Sequence, residues 1–191
     1  NYFHVLRRQL MRDFRKPLIL MTPKSLLRHK RCVSRLGEMA GETSFHRVLW
    51  DNAQLEGGLD PDNRIKRVVL CSGKVYYDLE EERNKRGIKD VYLMRIEQLY
   101  PFPDLVLAEE LNRFPSADVV WCQEEPRNMG SWTFIRDPLA DTMNLLGRGG
   151  ENIPYIGRLA AASPATGSFK KHVQQQADLV GEALNVKRPA K

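Results

Sequence analysis

From residue 67 onward, short apolar runs alternate with amphipathic segments, and this alternation restricts the fold more than any other feature of the chain. The runs 67–71 (RVVLC), 91–96 (VYLMRI), 119–122 (VVWC) and 154–157 (PYIG) are each only a few residues long and nearly free of polar side chains. Strands buried on both faces of a parallel sheet have this composition. Between them lie segments with helical spacing. The stretch 74–86 places Val75 and Leu79 one turn apart, offers Glu81–Lys85 and Glu82–Arg86 as i,i+4 pairs, and stops at Gly87. The stretch 103–114 aligns Leu107, Leu111 and Phe114. Asp137 followed by Pro138 reads as N-cap and first helical residue of a segment with Leu139, Met143 and Leu146 inward and Gly147 at its end. Ser163 and Pro164 open a last helix by the same logic, with Phe169, Val173, Ala177, Val180 and Leu184 as its apolar stripe, before a basic, frayed tail at 187–191. Repeated βα alternation implies an α/β fold: a mostly parallel, twisted sheet with helices on both faces.

The preceding part is less regular. Phe3, Leu6, Leu10 and Phe14 recur at helical spacing, so a helix is expected over 2–14. The run 18–21 (LILM) reads as a buried strand, stopped by Pro23. Residues 25–36 read as a helix or irregular helical stretch. Residues 37–63 form a long connection without sustained period, with one candidate strand at 45–49. The chain opens on Asn1 in the middle of a helical pattern, which reads as a cut from something longer. A helix and strand severed from their own sheet should be mobile or cover their apolar faces against a second copy.

Hydrophobic residues make up 42% and charged residues 28%, the proportions of an ordinary chain with a buried core. No apolar run reaches the roughly 20 residues of a membrane span. The three cysteines, Cys32, Cys71 and Cys122, are odd in number and far apart, and two lie in strand-like runs. Reduced thiols are expected, with neither a disulfide framework nor a metal site. The formal charge of +6 is unevenly spread: residues 1–36 carry ten Lys and Arg against Asp13 alone, and the remainder is net acidic. Nucleic-acid binding is one reading of such a patch. Acidic partners elsewhere in a larger protein are the favoured one, because no nucleic-acid motif accompanies the charge.

Ligands of open α/β sheets bind beyond the carboxyl ends of the strands. Two such ends here are polar. Ser72-Gly73-Lys74 lies directly before a helix. Ser72 can cap that helix, Gly73 permits close backbone approach, and Lys74 adds charge to the helix N-terminus, a setting for a phosphate or carboxylate. The Gly-rich spacing of a P-loop is absent, and a plain capped helix is the simpler alternative. The second end is Gln123-Glu124-Glu125-Pro126, with Asn128 just beyond. Adjacent residues of an extended segment point to opposite sides, so Glu124 and Glu125 make a poor catalytic pair. Gln123, Glu124, Glu125 and Asn128 are expected in structural or interface roles. The four histidines form no nucleophile or metal arrangement, and Tyr76 and Tyr77 read as core and rim. No catalytic residue and no metal ligand is assigned.

Several strings are distinctive: NYFHVLRRQ (1–9), PLILMTPKSLLRH (17–29), RVVLCSGKVYYDL (67–79), RIEQLYPFP (95–103), WCQEEPRNMGSW (121–132), YIGRLAAASPATG (155–167) and DLVGEAL (178–184). In order and spacing the chain resembles the C-terminal end of the 2-oxoglutarate dehydrogenase E1 family over nearly its whole length. The resemblance implies a transketolase-like C-terminal domain over 25–191, with 1–24 ending the preceding pyrimidine-binding domain. It also implies a role in assembly and regulation within an enzyme that uses thiamine diphosphate and Mg²⁺ to decarboxylate 2-oxoglutarate, works as a homodimer and succinylates the lipoyl group of an E2 partner. The family's Gly-Asp-Gly cofactor motif has no match here, so the cofactor-binding residues lie outside this segment. Some members bind acetyl-CoA or nucleotide-like regulators, which suggests an anion site built from Ser72, Gly73, Lys74 and Arg158. The location implied is the cytoplasm of a bacterium or, alternatively, the mitochondrial matrix. A stand-alone anion- or nucleotide-binding α/β module is the competing reading from another class.

Overall fold

The computed structural model describes residues 1–186, and the expected tail at 187–191 lies outside them. The chain divides into two compact units, Asn1–His46 and Arg47 onward. The first unit holds one α-helix, α1 (Tyr2–Met11), shorter than the periodicity suggested. The Asn1 side chain brackets the backbone of His46, donating to its carbonyl at 2.8 Å and accepting from its N–H at 2.9 Å. His4 is buried, with Nε2 2.8 Å from the Glu38 carbonyl. The expected strand at 18–21 does not form. A strand needs partners for its backbone N–H and C=O groups, and nothing in this unit supplies them. The run is extended coil, with Ile19 81% and Met21 92% exposed. The stretch 25–36 is irregular, with single 3₁₀ turns at Lys24–Arg28 and Leu36–Met39.

The second unit carries β1 (Val48–Leu49), α2 (Asn52–Leu55), β2 (Arg67–Cys71), α3 (Val75–Arg86), β3 (Val91–Ile96), α4 (Asp104–Asn112), β4 (Asp118–Pro126), α5 (Trp132–Leu145), β5 (Tyr155–Arg158) and α6 (Phe169–Ala183). The sheet order is β1-β3-β2-β4-β5. The short β1 runs antiparallel along β3, and the other pairings are parallel. The expected mostly parallel sheet with helices on both faces is therefore present.

Crossovers between parallel strands are almost always right-handed. The chain moves one way along the sheet from β2 to β3, and the other way from β3 to β4 and from β4 to β5. Opposite directions put α3 on one face and α4 and α5 on the other. The side chains follow the alternation of the pleat. Val68, Leu70, Tyr92, Met94, Val119 and Trp121 pack with Leu107, Leu111, Ile135, Leu139 and Met143 in the α4/α5 core. Val69, Cys71, Leu93, Val120 and Cys122, one residue out of phase, are buried with Val75, Leu79, Leu179 and Val180 toward α3 and α6.

Several local expectations shift. Helix α5 starts at Trp132, so Pro138 lies inside it and is not its first residue. The reason lies in Gln123, described below. Helix α6 opens at Ser168, whose hydroxyl accepts from the Lys171 N–H at 3.5 Å, and Ser163-Pro164 remains in the preceding loop. Its packed face is Leu179, Val180, Ala183 and Leu184, while Phe169 is 83% exposed. On α3 the Glu82–Arg86 pair forms at 2.7 Å, and Lys85 also lies 3.7 Å from Glu82.

Candidate functional site

In this topology the direction of winding reverses between β2, whose crossover leads toward β3, and β4, whose crossover leads toward β5. Neighbouring strands whose connections depart to opposite sides leave a crevice at their carboxyl ends, where such folds hold ligands. The turn Ser72-Gly73-Lys74 stands at the end of β2, and Glu124 on β4 lies just past the Cys71–Cys122 register pair.

The two are joined. Lys74 Nζ donates to Glu124 Oε1 at 2.7 Å and to Asp78 Oδ2, one helical turn on, at 3.2 Å. Gln176 on α6 donates to the same Asp78 oxygen at 2.8 Å and accepts from Arg158 Nη2 at 3.0 Å. Arg158 Nη2 also lies 3.0 Å from His172 Nδ1. A guanidinium can only donate, so Nδ1 is the acceptor in this contact. One polar chain thus runs Glu124–Lys74–Asp78–Gln176–Arg158–His172 across the ends of β2, β4 and β5.

Its electrostatics are those of a closed network. Burial works against the Lys74 charge, but the hydrogen bond and attraction to Glu124, then to Asp78, outweigh it and hold the ammonium above its usual range. Lys74 is paired with two carboxylates, Glu124 and Asp78, while Arg158 is held by Gln176 and His172. The turn is therefore not an unpaired positive point, as its sequence suggested. One donor has no acceptor among the described residues: Arg158 Nε is buried and makes no hydrogen bond.

The remaining expectations sort clearly. Ser72 does not cap α3. The cap position is Lys74, which makes no side-chain cap bond. Gly73 takes φ +73°, a conformation that favours glycine, and no protein atom lies within 4 Å of where a Cβ would stand. Among the described residues, Arg158 joins Lys74 through Gln176 and Asp78. Gln123 is a structural hub. Its Oε1 accepts from Trp121 Nε1 and from the Trp132 N–H, both at 3.0 Å, and its Nε2 donates to the Met129 carbonyl at 2.8 Å. This satisfies a free N–H at the first turn of α5 and draws the helix start back to Trp132. Asn128 brackets Ala161, donating to its carbonyl and accepting from its N–H, both at 3.0 Å. Glu124 and Glu125 do diverge: Glu124 meets Lys74, and Glu125 packs toward Gly130. Sequence reasoning missed Asp78, His172 and Gln176. The i,i+4 spacings Lys74–Asp78 and His172–Gln176 were the only signals available.

A doubly wound α/β domain with a polar crevice at its switch point is the class these observations define. The model of the 2-oxoglutarate dehydrogenase C-terminal family matches residues 33–184, and the chain belongs to that family. It is 62% identical over 188 residues to the 2-oxoglutarate dehydrogenase E1 component of Brucella anthropi, covering 96% of this chain and 19% of that protein. The same component of Brucella ovis is 61% identical over the same length. The chain thus spans about a fifth of the length of these relatives. Among solved structures, a split-gene transketolase described as an inactive β4 tetramer matches at a TM-score of 0.42 and 15% identity, covering 68% of this chain and 45% of the other.

Proposed function

We propose that this chain is the C-terminal assembly and regulatory segment of a 2-oxoglutarate dehydrogenase E1 subunit. In this reading the complete subunit decarboxylates 2-oxoglutarate on thiamine diphosphate and passes the succinyl group to the lipoyl group of an E2 partner. It works as a homodimer. Residues 1–24 end the pyrimidine-binding domain and residues 25–191 form the transketolase-like C-terminal domain. The observation that carries the reading is the 62% identity to an E1 component, sustained over 96% of the chain. The bacterial source of the relatives favours a cytoplasmic location over the mitochondrial matrix. No helix among the described residues is long and apolar enough to cross a membrane.

The residues present do not fit the cofactor. The chain has no Gly-Asp-Gly sequence. No three His, Cys, Asp or Glu side chains among the described residues come together as metal ligands. No chemical step is therefore assigned to these side chains, and the cofactor would be held by other parts of the subunit. A chimera in which this chain replaces its matching segment in the Brucella anthropi protein tests the assignment. It should assemble and support 2-oxoglutarate-dependent succinyl transfer with E2. An assembled but inactive chimera would count against it.

The regulatory half of the proposal places an anionic regulator, acetyl-CoA or a nucleotide, at Ser72, Gly73, Lys74 and Arg158. The switch-point position and the unmet Arg158 Nε support it. A ligand phosphate would compete with Glu124 and Asp78 for Lys74 and give Arg158 Nε an acceptor. Titrating the chain with acetyl-CoA while following amide resonances decides the matter: Ser72 to Lys74 amides that stay still remove the site.

A further inference from the structure

On the opposite face of the sheet from the Lys74 network, between the start of α5 and β5, lies an open cavity of about 860 Å³. Neither the family assignment nor the proposed regulator site uses it. Its wall carries Trp132 and Tyr155, whose ring centroids are 5.4 Å apart at an interplanar angle of 49°. The Arg127 guanidinium sits 5.7 Å from the centre of the Tyr155 ring. Arg136, one turn into α5, lines the same space with its Nε 2.9 Å from Asp137 Oδ1. Thr133 lines it from the first turn of α5, where backbone N–H groups lack intrahelical acceptors.

Three features fix the ligand chemistry. Two guanidinium groups, those of Arg127 and Arg136, line the cavity, and Asp137 is the one carboxylate among the described side chains lining it. Both members of the Arg136–Asp137 pair are exposed, 58% and 78%, so that pair holds the arginine only weakly and leaves most of its five donors for a second anion. The aromatic wall offers a flat apolar surface, and a guanidinium held over a ring presents its own plane beside it. A bare anion would leave that wall unused, and an uncharged ring would leave the arginines unused. We propose that this cavity binds a phosphate ester carrying a flat aromatic or heteroaromatic ring, the phosphate between Arg127 and Arg136 and the ring against Tyr155 and the edge of Trp132. The open mouth leaves room for a substituent beyond the ring.

Phenyl phosphate, inorganic phosphate and phenol separate the two halves of the recognition. All three are titrated into the 191-residue chain while the Trp132 indole N–H and Thr133 amide resonances are followed. The expected result is a shift of both signals by phenyl phosphate, with binding about tenfold tighter than for either fragment. Arg127→Ala and Arg136→Ala should each weaken it, whereas Arg64→Ala, an exposed cation outside the cavity, should not. Both arginines are exposed, so an unchanged spectrum of the free variants confirms that the fold is intact. Phenyl phosphate binding no tighter than phosphate, signals that shift at Ser72 to Lys74 instead of Trp132, or equal losses in Arg127→Ala and Arg64→Ala would each overturn the proposal. The regulator reading would be untouched by such a failure, because it is tested at different resonances.

Discussion

Arg83 on α3 and Asp51, in the loop before α2, form a fully buried ion pair, with both side chains 0% exposed. The guanidinium meets both carboxylate oxygens, and Nη1 also donates to the Val91 carbonyl at 3.2 Å. Asp51 in turn accepts from the Leu93 N–H at 2.8 Å and the Ala53 N–H at 3.0 Å. A single carboxylate therefore fastens the α2 segment and β1 to strand β3 and to α3. Removing one partner strands the other charge in the core, which costs about 3–5 kcal/mol. Arg83→Met and Asp51→Leu should each lose that much in urea unfolding. The double variant should recover a large part of the loss, because no bare charge remains. Additive losses would show that the pair acts only through packing.

The Gln123 hub makes a second prediction. Gln123→Leu keeps the volume but leaves the Trp132 N–H, Trp121 Nε1 and Met129 carbonyl without their partner, at about 1–3 kcal/mol per buried group. The effect should appear first as loss of order at the start of α5. Amide exchange of residues 132–135 should accelerate, while that of β2 stays slow. Equal acceleration in both places would mean that Gln123 supports the whole core rather than this turn.

Two glycines with nearly the same φ should respond differently to alanine. Gly87, at +65°, has open space where an alanine Cβ would stand, with nothing within 4 Å, so Gly87→Ala should cost only the left-handed strain of about 1 kcal/mol. Gly130, at +66°, would put a Cβ 2.9 Å from Glu125 Cβ and 3.0 Å from Gln123 Nε2. Gly130→Ala carries the same strain plus a clash with the hub, and its loss should clearly exceed that of Gly87→Ala in the same denaturant series.

The relation between pattern and structure follows from where the determining contacts lie. β2 and β3 were legible because a strand buried on both faces must be apolar throughout, and α3 because Gly87 must take the left-handed conformation, φ +65°, at its end. The Asp51–Arg83 pair was not legible: 32 residues separate its members, and no periodicity marks a charge that meets its partner only after the sheet has formed. The start of α5 misled because Asp137-Pro138 is a competent helix opening, yet Gln123 already satisfies the N–H of Trp132 five residues earlier. For α6, both Ser163-Pro164 and Ser168 can open a helix, and packing decides between them. In the crevice, Ser72, Lys74 and Arg158 were visible as polar residues at strand ends. The pairing of Lys74 with Glu124 depends on which strands are neighbours, and the order β3-β2-β4-β5 cannot be read from local spacing.

The last prediction concerns alkaline pH. Burial pushes the Cys71 thiol from an ordinary 9.0 up to about 12, and burial likewise drives Cys122 well above its usual value. Tyr155, also through burial, moves to about 12, and Tyr76 and Tyr92 rise for the same reason. Every one of these groups holds its proton more tightly folded than unfolded. Between about pH 9 and pH 12 the unfolded chain therefore binds fewer protons than the native one, and stability falls as pH rises. The Lys74 shift has the same sign, since its favourable charge is present below 10.5 and is lost as pH climbs through the raised value. Urea midpoints should be nearly flat from pH 7 to 8.5 and decline steadily above pH 9. The same burial predicts thiol chemistry. At pH 8 a disulfide reagent should modify the exposed Cys32 promptly and reach Cys71 and Cys122 only when the core opens. Three thiols reacting at one fast rate in the native chain, or midpoints that rise above pH 9, would contradict this arrangement of the core.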